Sequence, residues 1–265
     1  MQSPIMLAPQ RIAADTYTLL AYLPVPGAGL LPVNAFLIRA AQPMLIDTGL
    51  AALGADFIDR LSQLIDPADL AWIYLTHTDP DHLGNLAELM ALAPRAHLVT
   101  TFLGMGKLGL LQFPLNRVYL LNPGQRLDLG DRTVLALRPP VFDAPETTGL
   151  FDPDNRILFS SDCFGALMQQ PAETAQSIHP DALRDGLINW TMVDAPWLPL
   201  VEASALNRAI APLRQLQPQV ILSSHLPPAW GMTDRLIDYL QLARLATPTP
   251  GPDQQALEQM MAIAA

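Results

Sequence analysis

Thr76-His77-Thr78-Asp79-Pro80-Asp81-His82-Leu83-Gly84 follows directly on the apolar run Leu70-Ala71-Trp72-Ile73-Tyr74-Leu75. From His77 to His82, two imidazoles and two carboxylates crowd the end of what reads as a buried strand. Groups packed this tightly repel or desolvate one another unless a cation, water or a hydrogen-bond donor compensates them. Asp-Pro-Asp by itself reads as a solvated loop whose Asp81 caps the next helix. With a histidine on each side, immediately beyond a strand, it reads as a set of metal ligands.

Working outward, strands and helices alternate. Residues 34–39 and 44–47 read as strands around the turn Ala40-Ala41-Gln42-Pro43, and 57–64 as a helix stopped by Asp66-Pro67. The strand 72–75 precedes the ligand loop, and a helix through Leu86, Leu89 and Met90 follows it, ending before Pro94. Residues 96–100 and 133–137 read as strands, and 149–151 with 156–160 as a hairpin about Asp152-Pro153-Asp154-Asn155. Ala203–Leu216 has amphipathic helical spacing and leads to a strand over 220–224 that ends at His225. The hairpin's second strand likewise runs into Asp162. Polar side chains at several strand ends of an α/β chain mark a site where loops converge. Residues 1–246 read as one domain, and 247–265 as a Pro-rich linker with a helix over 255–264.

Composition narrows the function classes. The 265 residues can bury one large core or two small ones, and half of them are hydrophobic. No uncharged apolar stretch is long enough to span a bilayer, and Met1-Gln2-Ser3-Pro4-Ile5-Met6-Leu7 has no basic region of the secretory kind. A lone cysteine, Cys163, excludes an internal disulfide and fits a cytoplasmic location. The formal net charge of −10 argues against nucleic acid or an anionic membrane as partner. Lys107 is the only lysine, so Schiff-base chemistry has no other candidate.

The ordered set Asn34-Ala35-Phe36-Leu37-Ile38, Leu45-Ile46-Asp47-Thr48-Gly49, Thr76-His77 through Asp81-His82-x-Gly84, Ser161-Asp162 and Ser224-His225 resembles the metallo-β-lactamase superfamily. The resemblance implies an α/β fold, a metallo-β-lactamase-like αββα four-layer sandwich with a dinuclear metal site along one edge. Hydrolases of that superfamily carry His-x-His-x-Asp-His. Asp79 in place of the middle histidine makes the loop more similar to flavodiiron proteins and the oxygen-binding di-iron proteins (ODP), which carry a glutamate there. Ile157-Leu158-Phe159-Ser160-Ser161-Asp162-Cys163-Phe164-Gly165 also resembles their bridging-aspartate segment. Carried over residue by residue, the resemblance implies that His77 and Asp79 bind a first metal and Asp81, His82 and His225 a second, with Asp162 bridging. The remaining first-site ligand is a histidine in the family, about nineteen residues before the bridge. Asp143 occupies that place here, with Glu146 as the alternative. Asp47 is expected beside the metals as support.

This donor set replaces imidazole by carboxylate, which favours two iron ions, with Mn or Zn as alternatives. The expected function is a dinuclear metalloprotein that binds, senses or reduces O2 or NO. No flavodoxin-like segment with an FMN site is readable after His225, so an external electron donor is expected, and the resemblance implies a homodimer. A hydrolase of esters, lactones, thioesters or phosphodiesters using a metal-bound hydroxide shares the scaffold, as would a non-enzymatic binding module. Of the other conspicuous residues, His97 reads as a half-buried strand residue, His179 as a loop residue and Cys163 as packing. Met105, Phe113, Phe142, Trp190, Trp197 and Trp230 are candidates either for pocket walls or for core.

Overall fold

Leu37-Ile38, Leu45-Ile46, Ile157-Leu158-Phe159 and Val220-Ile221-Leu222 are strand segments without a polar face. Such strands need cover on both sides, and because side chains alternate along a strand, each run feeds two layers. The computed structural model, which describes residues 3–248 and 251–263, shows where those layers go. Ile38, Ile46, Phe159 and Leu222 meet Phe36, Tyr74, Val134 and Leu150 in a core between two sheets. Phe36 and Phe159 join the sheets edge to face, with ring centroids 5.4 Å apart. Leu37, Leu45 and Ile73 face outward against Phe57, Leu61, Leu86 and Leu89 of covering helices. On the far side, Leu158 and Ile221 pack under Leu187, Leu206, Ile210 and Leu236. The result is the expected helix–sheet–sheet–helix sandwich.

The first sheet runs in the order Ile5–Met6, Thr16–Val25, Gly29–Ile38, Met44–Ile46, Trp72–Tyr74, His97–Thr100 and Val118–Leu120, with Gln10–Arg11 paired to Thr16–Val25. The second runs Ala229–Trp230, Val220–Leu222, Ile157–Phe159, Gly149–Asp152, Thr133–Leu137 and Arg126–Asp128. Met44–Ile46 is parallel to Trp72–Tyr74, and Ile157–Phe159 is parallel to Val220–Leu222. Parallel pairing brings the loops after each pair of strands to one edge. No helix of the described residues is long and apolar enough to cross a membrane.

Some boundaries move. The first helix is Gly54–Ser62 rather than 57–64; just beyond it the chain tightens, Leu64 donating to the Leu61 carbonyl three residues back. Asp66-Pro67 opens a separate short turn, Pro67–Asp69, capped by the Asp66 side chain. His97 is exposed rather than half-buried, since it starts its strand at the outer rim beside the Trp72 ring. His179 is exposed and precedes the helix Pro180–Asp194. Strand Thr16–Val25 and helices Phe102–Leu110, Pro180–Asp194 and Thr233–Ala243 were not foreseen. The terminal helix is Gln254–Ile263, and Met1, Gln2 and Ala264 lie outside the described residues.

Candidate metal centre

Four strand ends converge at the common edge. Met44–Ile46 leads into Asp47, Trp72–Tyr74 into His77, Ile157–Phe159 into Asp162 and Val220–Leu222 into His225. Asp47 and Ser161 both turn with positive φ, 57° and 53°, a conformation side chains rarely adopt outside constrained sites. The Asp47 carboxylate accepts from the Thr76 backbone N–H and from Thr76 Oγ1, both at 2.8 Å, and lies 2.9 Å from His82 Nδ1. Asp47 thereby fixes the strand end and one imidazole together. Gly84 is required by packing, because a Cβ there would lie 2.4 Å from the backbone at Gly49 and Ala51. Asp79, rather than Asp81, occupies the N-cap of the short helix Pro80–Leu83, and its side chain makes no capping bond.

Each of the three histidines is anchored through Nδ1 and turned inward through Nε2. His225 Nδ1 lies 2.7 Å from the Pro32 carbonyl, to which it donates, and His77 Nδ1 lies 3.3 Å from both Thr76 Oγ1 and Ser161 Oγ. An Nδ1–H held by an acceptor leaves the Nε2 lone pair free to bind a cation. His82 Nε2 is 3.1 Å from Asp162 Oδ1 and 3.6 Å from Asp81 Oδ2. His225 Nε2 is 3.3 Å from Asp162 Oδ1 and 3.5 Å from Asp81 Oδ2. His77 Nε2 is 3.5 Å from Asp162 Oδ2 and 3.9 Å from Asp143 Oδ2. These contacts assemble into overlapping groups that could hold a metal ion: His77, Asp79 and Asp143; Asp81, His82 and His225; and His77, His82 and Asp162 between them. All seven residues expected from the sequence therefore stand in one cluster.

Glu146 does not join it. Its Oε1 accepts from Thr78 Oγ1 at 2.8 Å and pairs with Lys107. Burial pushes the Glu146 carboxyl up, but the hydrogen bonds from Lys107, its own backbone and Thr78 outweigh this and hold it below the ordinary range. Thr147 Oγ1 donates to Asp143 Oδ1 at 3.0 Å, and the Thr148 amide donates to the Thr76 carbonyl. The Lys107–Glu146–Thr78 clasp thus registers the loop carrying Asp143 against the loop carrying His77 and Asp79.

The electrostatics of the cluster call for a cation. Burial opposes charge on His82, yet Asp81, Asp162 and Asp47 raise its pKa well above the usual value. Burial opposes charge on His225 as well, and Asp162 chiefly lifts it to about 9. Asp162, itself pushed up by burial, is held well below the carboxylate range by His77, His225 and His82. His77 Nε2, His82 Nε2 and Asp162 Oδ1 are buried with no hydrogen-bond partner among the described residues. An orphaned buried polar atom costs about 1–3 kcal/mol, and three aimed at one space fit metal ligation, which would also displace the protons. Three imidazole nitrogens with an excess of carboxylate oxygens suit iron or manganese by softness.

The aromatic candidates divide. The Trp190 ring lies 4.6 Å from His225, and Phe142 packs on Trp197 at 5.8 Å next to Asp143. Phe113 and Trp230 pack into the hydrophobic layers instead, and Met105 sits on helix Phe102–Leu110. Cys163 is buried, and burial raises its thiol pKa, in line with a packing role. Asp194 was missed. It groups with Asp143 and Asp162, and burial together with those two carboxylates pushes its pKa up to about 8. It lies at a helix end rather than a strand end, so strand-end reasoning could not reach it. An acidic residue in a last helical turn is its one sequence signal.

Comparison with known proteins agrees with the fold. The chain is 36% identical over 135 residues to the putative diflavin flavoprotein A 1 of Thermosynechococcus vestitus, a match covering 50% of this chain and 24% of that one. It is 31% identical over 134 residues to the anaerobic nitric oxide reductase flavorubredoxin of Salmonella typhi, covering 50% and 28%. The chain thus matches only about a quarter of the length of these curated relatives. The rubredoxin oxygen:oxidoreductase from the anaerobe Desulfovibrio gigas superposes with a TM-score of 0.79 at 20% identity, covering 89% of this chain and 61% of that one. A family profile described as ODP family beta lactamase matches residues 31–225, well over half the sequence. The chain belongs to the ODP family of β-lactamase-like proteins.

Proposed function

We propose that the chain holds a pair of iron ions and uses them to bind or reduce O2 or NO, drawing electrons from an external donor. In this reading His77, Asp79 and Asp143 hold one ion, Asp81, His82 and His225 hold the other, and Asp162 reaches both. The supporting observation is the convergence of buried, unpartnered His77 Nε2, His82 Nε2 and Asp162 Oδ1 on one space. The kinship with a nitric oxide reductase and an oxygen oxidoreductase points to the same pair of substrates.

When bound, two iron ions supply redox equivalents to a diatomic molecule. The chain's own residues set the conditions for this. Carboxylates outnumber imidazoles, which favours the oxidised metal and so electron donation. Asp47 and the Pro32 carbonyl lock the rings of His82 and His225. The Trp190 ring packs against His225 on one side. A homodimer, as the family resemblance implies, is part of the proposal.

The test is metal content followed by reaction. Protein from iron-supplemented cells should carry about two iron ions per chain, and the anaerobic reduced form should consume O2 or NO on mixing. Zinc in both positions with no reaction toward either gas would overturn the reading.

A further inference from the structure

Asp194 closes the helix Pro180–Asp194 and is only partly exposed. One of its carboxylate oxygens lies within 4.8 Å of carboxylate oxygens of both Asp143 and Asp162. Three features make this an expensive place for an acid. The C-terminal end of a helix carries partial negative charge. Two further carboxylates stand beside it. Among the described residues no lysine or arginine pairs with Asp143, Asp162 or Asp194, and Asp194 accepts no hydrogen bond. The fold nevertheless delivers the residue there. Trp190, one turn earlier on the same helix, packs its ring at a tilt against His225 and brings the helix end to the edge that carries the cluster.

A second observation shows what the space is for. His77 Nε2 is buried, has no hydrogen-bond partner among the described residues, and lies 3.9 and 3.5 Å from Asp143 Oδ2 and Asp162 Oδ2. His77 Nε2 thus faces the same two carboxylates, Asp143 and Asp162, that Asp194 approaches.

We propose that Asp194 is an eighth metal-binding residue and the fifth carboxylate of the set, acting with Asp143 and Asp162 at the first metal position. This rests on the metal-pair reading above and deepens it. The first position is where imidazole gives way to Asp143, and Asp143 is in part engaged by Thr147. A further oxygen donor completes a harder coordination set there, which selects manganese or iron over zinc.

Stripped protein titrated with Mn2+ by calorimetry, with electron paramagnetic resonance of the same samples, separates the possibilities. The wild type should bind two ions per chain with a coupled spectrum. Asp194→Asn and Asp194→Ala should each weaken one of the two binding events by about tenfold or more and leave the other unchanged. Asp194→Glu, which keeps the charge, should recover part of the loss. Asp181→Asn, on the exposed start of the same helix, should change nothing. Circular dichroism melting of each variant identifies any that fails to fold, and the isosteric Asn variant is the decisive one. Two unchanged Mn2+ affinities in Asp194→Asn would overturn the role of Asp194 while the metal pair stands. A wild type that binds fewer than two ions would overturn the pair itself, and Asp194's role with it.

Discussion

A single lysine serves the site from outside it. Lys107 is 42% exposed, but its partner Glu146 is fully buried, so the pair matters through the acid it neutralises. Lys107→Met leaves Glu146 buried with Thr78 as its remaining side-chain donor and should destabilise the fold by roughly 1–3 kcal/mol at neutral pH, read by urea unfolding. Adding Glu146→Gln should restore part of that loss. The pH dependence follows from the lowered pKa of Glu146. A depressed carboxylate gives stability that is present above its unfolded value, near 4.5, and lost as pH falls through the folded one. In Lys107→Met that stabilising pair is already gone, and acid neutralises the stranded charge. The gap between wild type and variant should therefore shrink on acidification. A gap that stays constant with pH would show that Glu146 does not depend on Lys107.

Strands and the loops that follow them were readable where apolar runs ended abruptly in His or Asp. The segments 72–75, 156–160 and 220–224 agree with the observed strands to within two residues, and the His and Asp side chains just beyond them meet at one edge. Helix Phe102–Leu110 was not readable, because three glycines in FLGMGKLGL suppress helical propensity, and tertiary packing with a Thr101 cap sustains it. Pro180–Asp194 is hidden for a different reason: its start is marked by Pro at the first turn, after a His179 that reads as a loop residue. That helix carries Trp190 and Asp194 to the site. How closely it docks can be tested at Gly165, where a Cβ would lie 2.5 Å from Trp190 Nε1 and 2.7 Å from His225 Cβ. Gly165→Ala should cost roughly 1–3 kcal/mol from overpacking and lower the iron retained per chain by displacing His225. Unchanged melting and metal content would mean that the helix does not brace His225.

Both sheets contribute to one centre. Asp47 and the His77–His82 loop come from the first sheet, while Asp143, Asp162 and His225 come from the second. Cross-links knit the edge around them. Asn34 donates its backbone N–H to the Ser224 carbonyl and its side-chain amide to the Ser223 and Leu226 carbonyls. Tyr74 Oη lies within hydrogen-bonding distance of Thr148 and Gly149. The sandwich therefore presents preorganised donors at the seam between its halves, and the account stands on what fills that seam. Anomalous scattering at the iron and zinc edges, from crystals grown without added metal, addresses this directly. The account predicts two iron peaks, one among His77, Asp79 and Asp143 and one among Asp81, His82 and His225, with Asp162 in contact with both. Zinc peaks at those positions, or no peak at either edge, would contradict it.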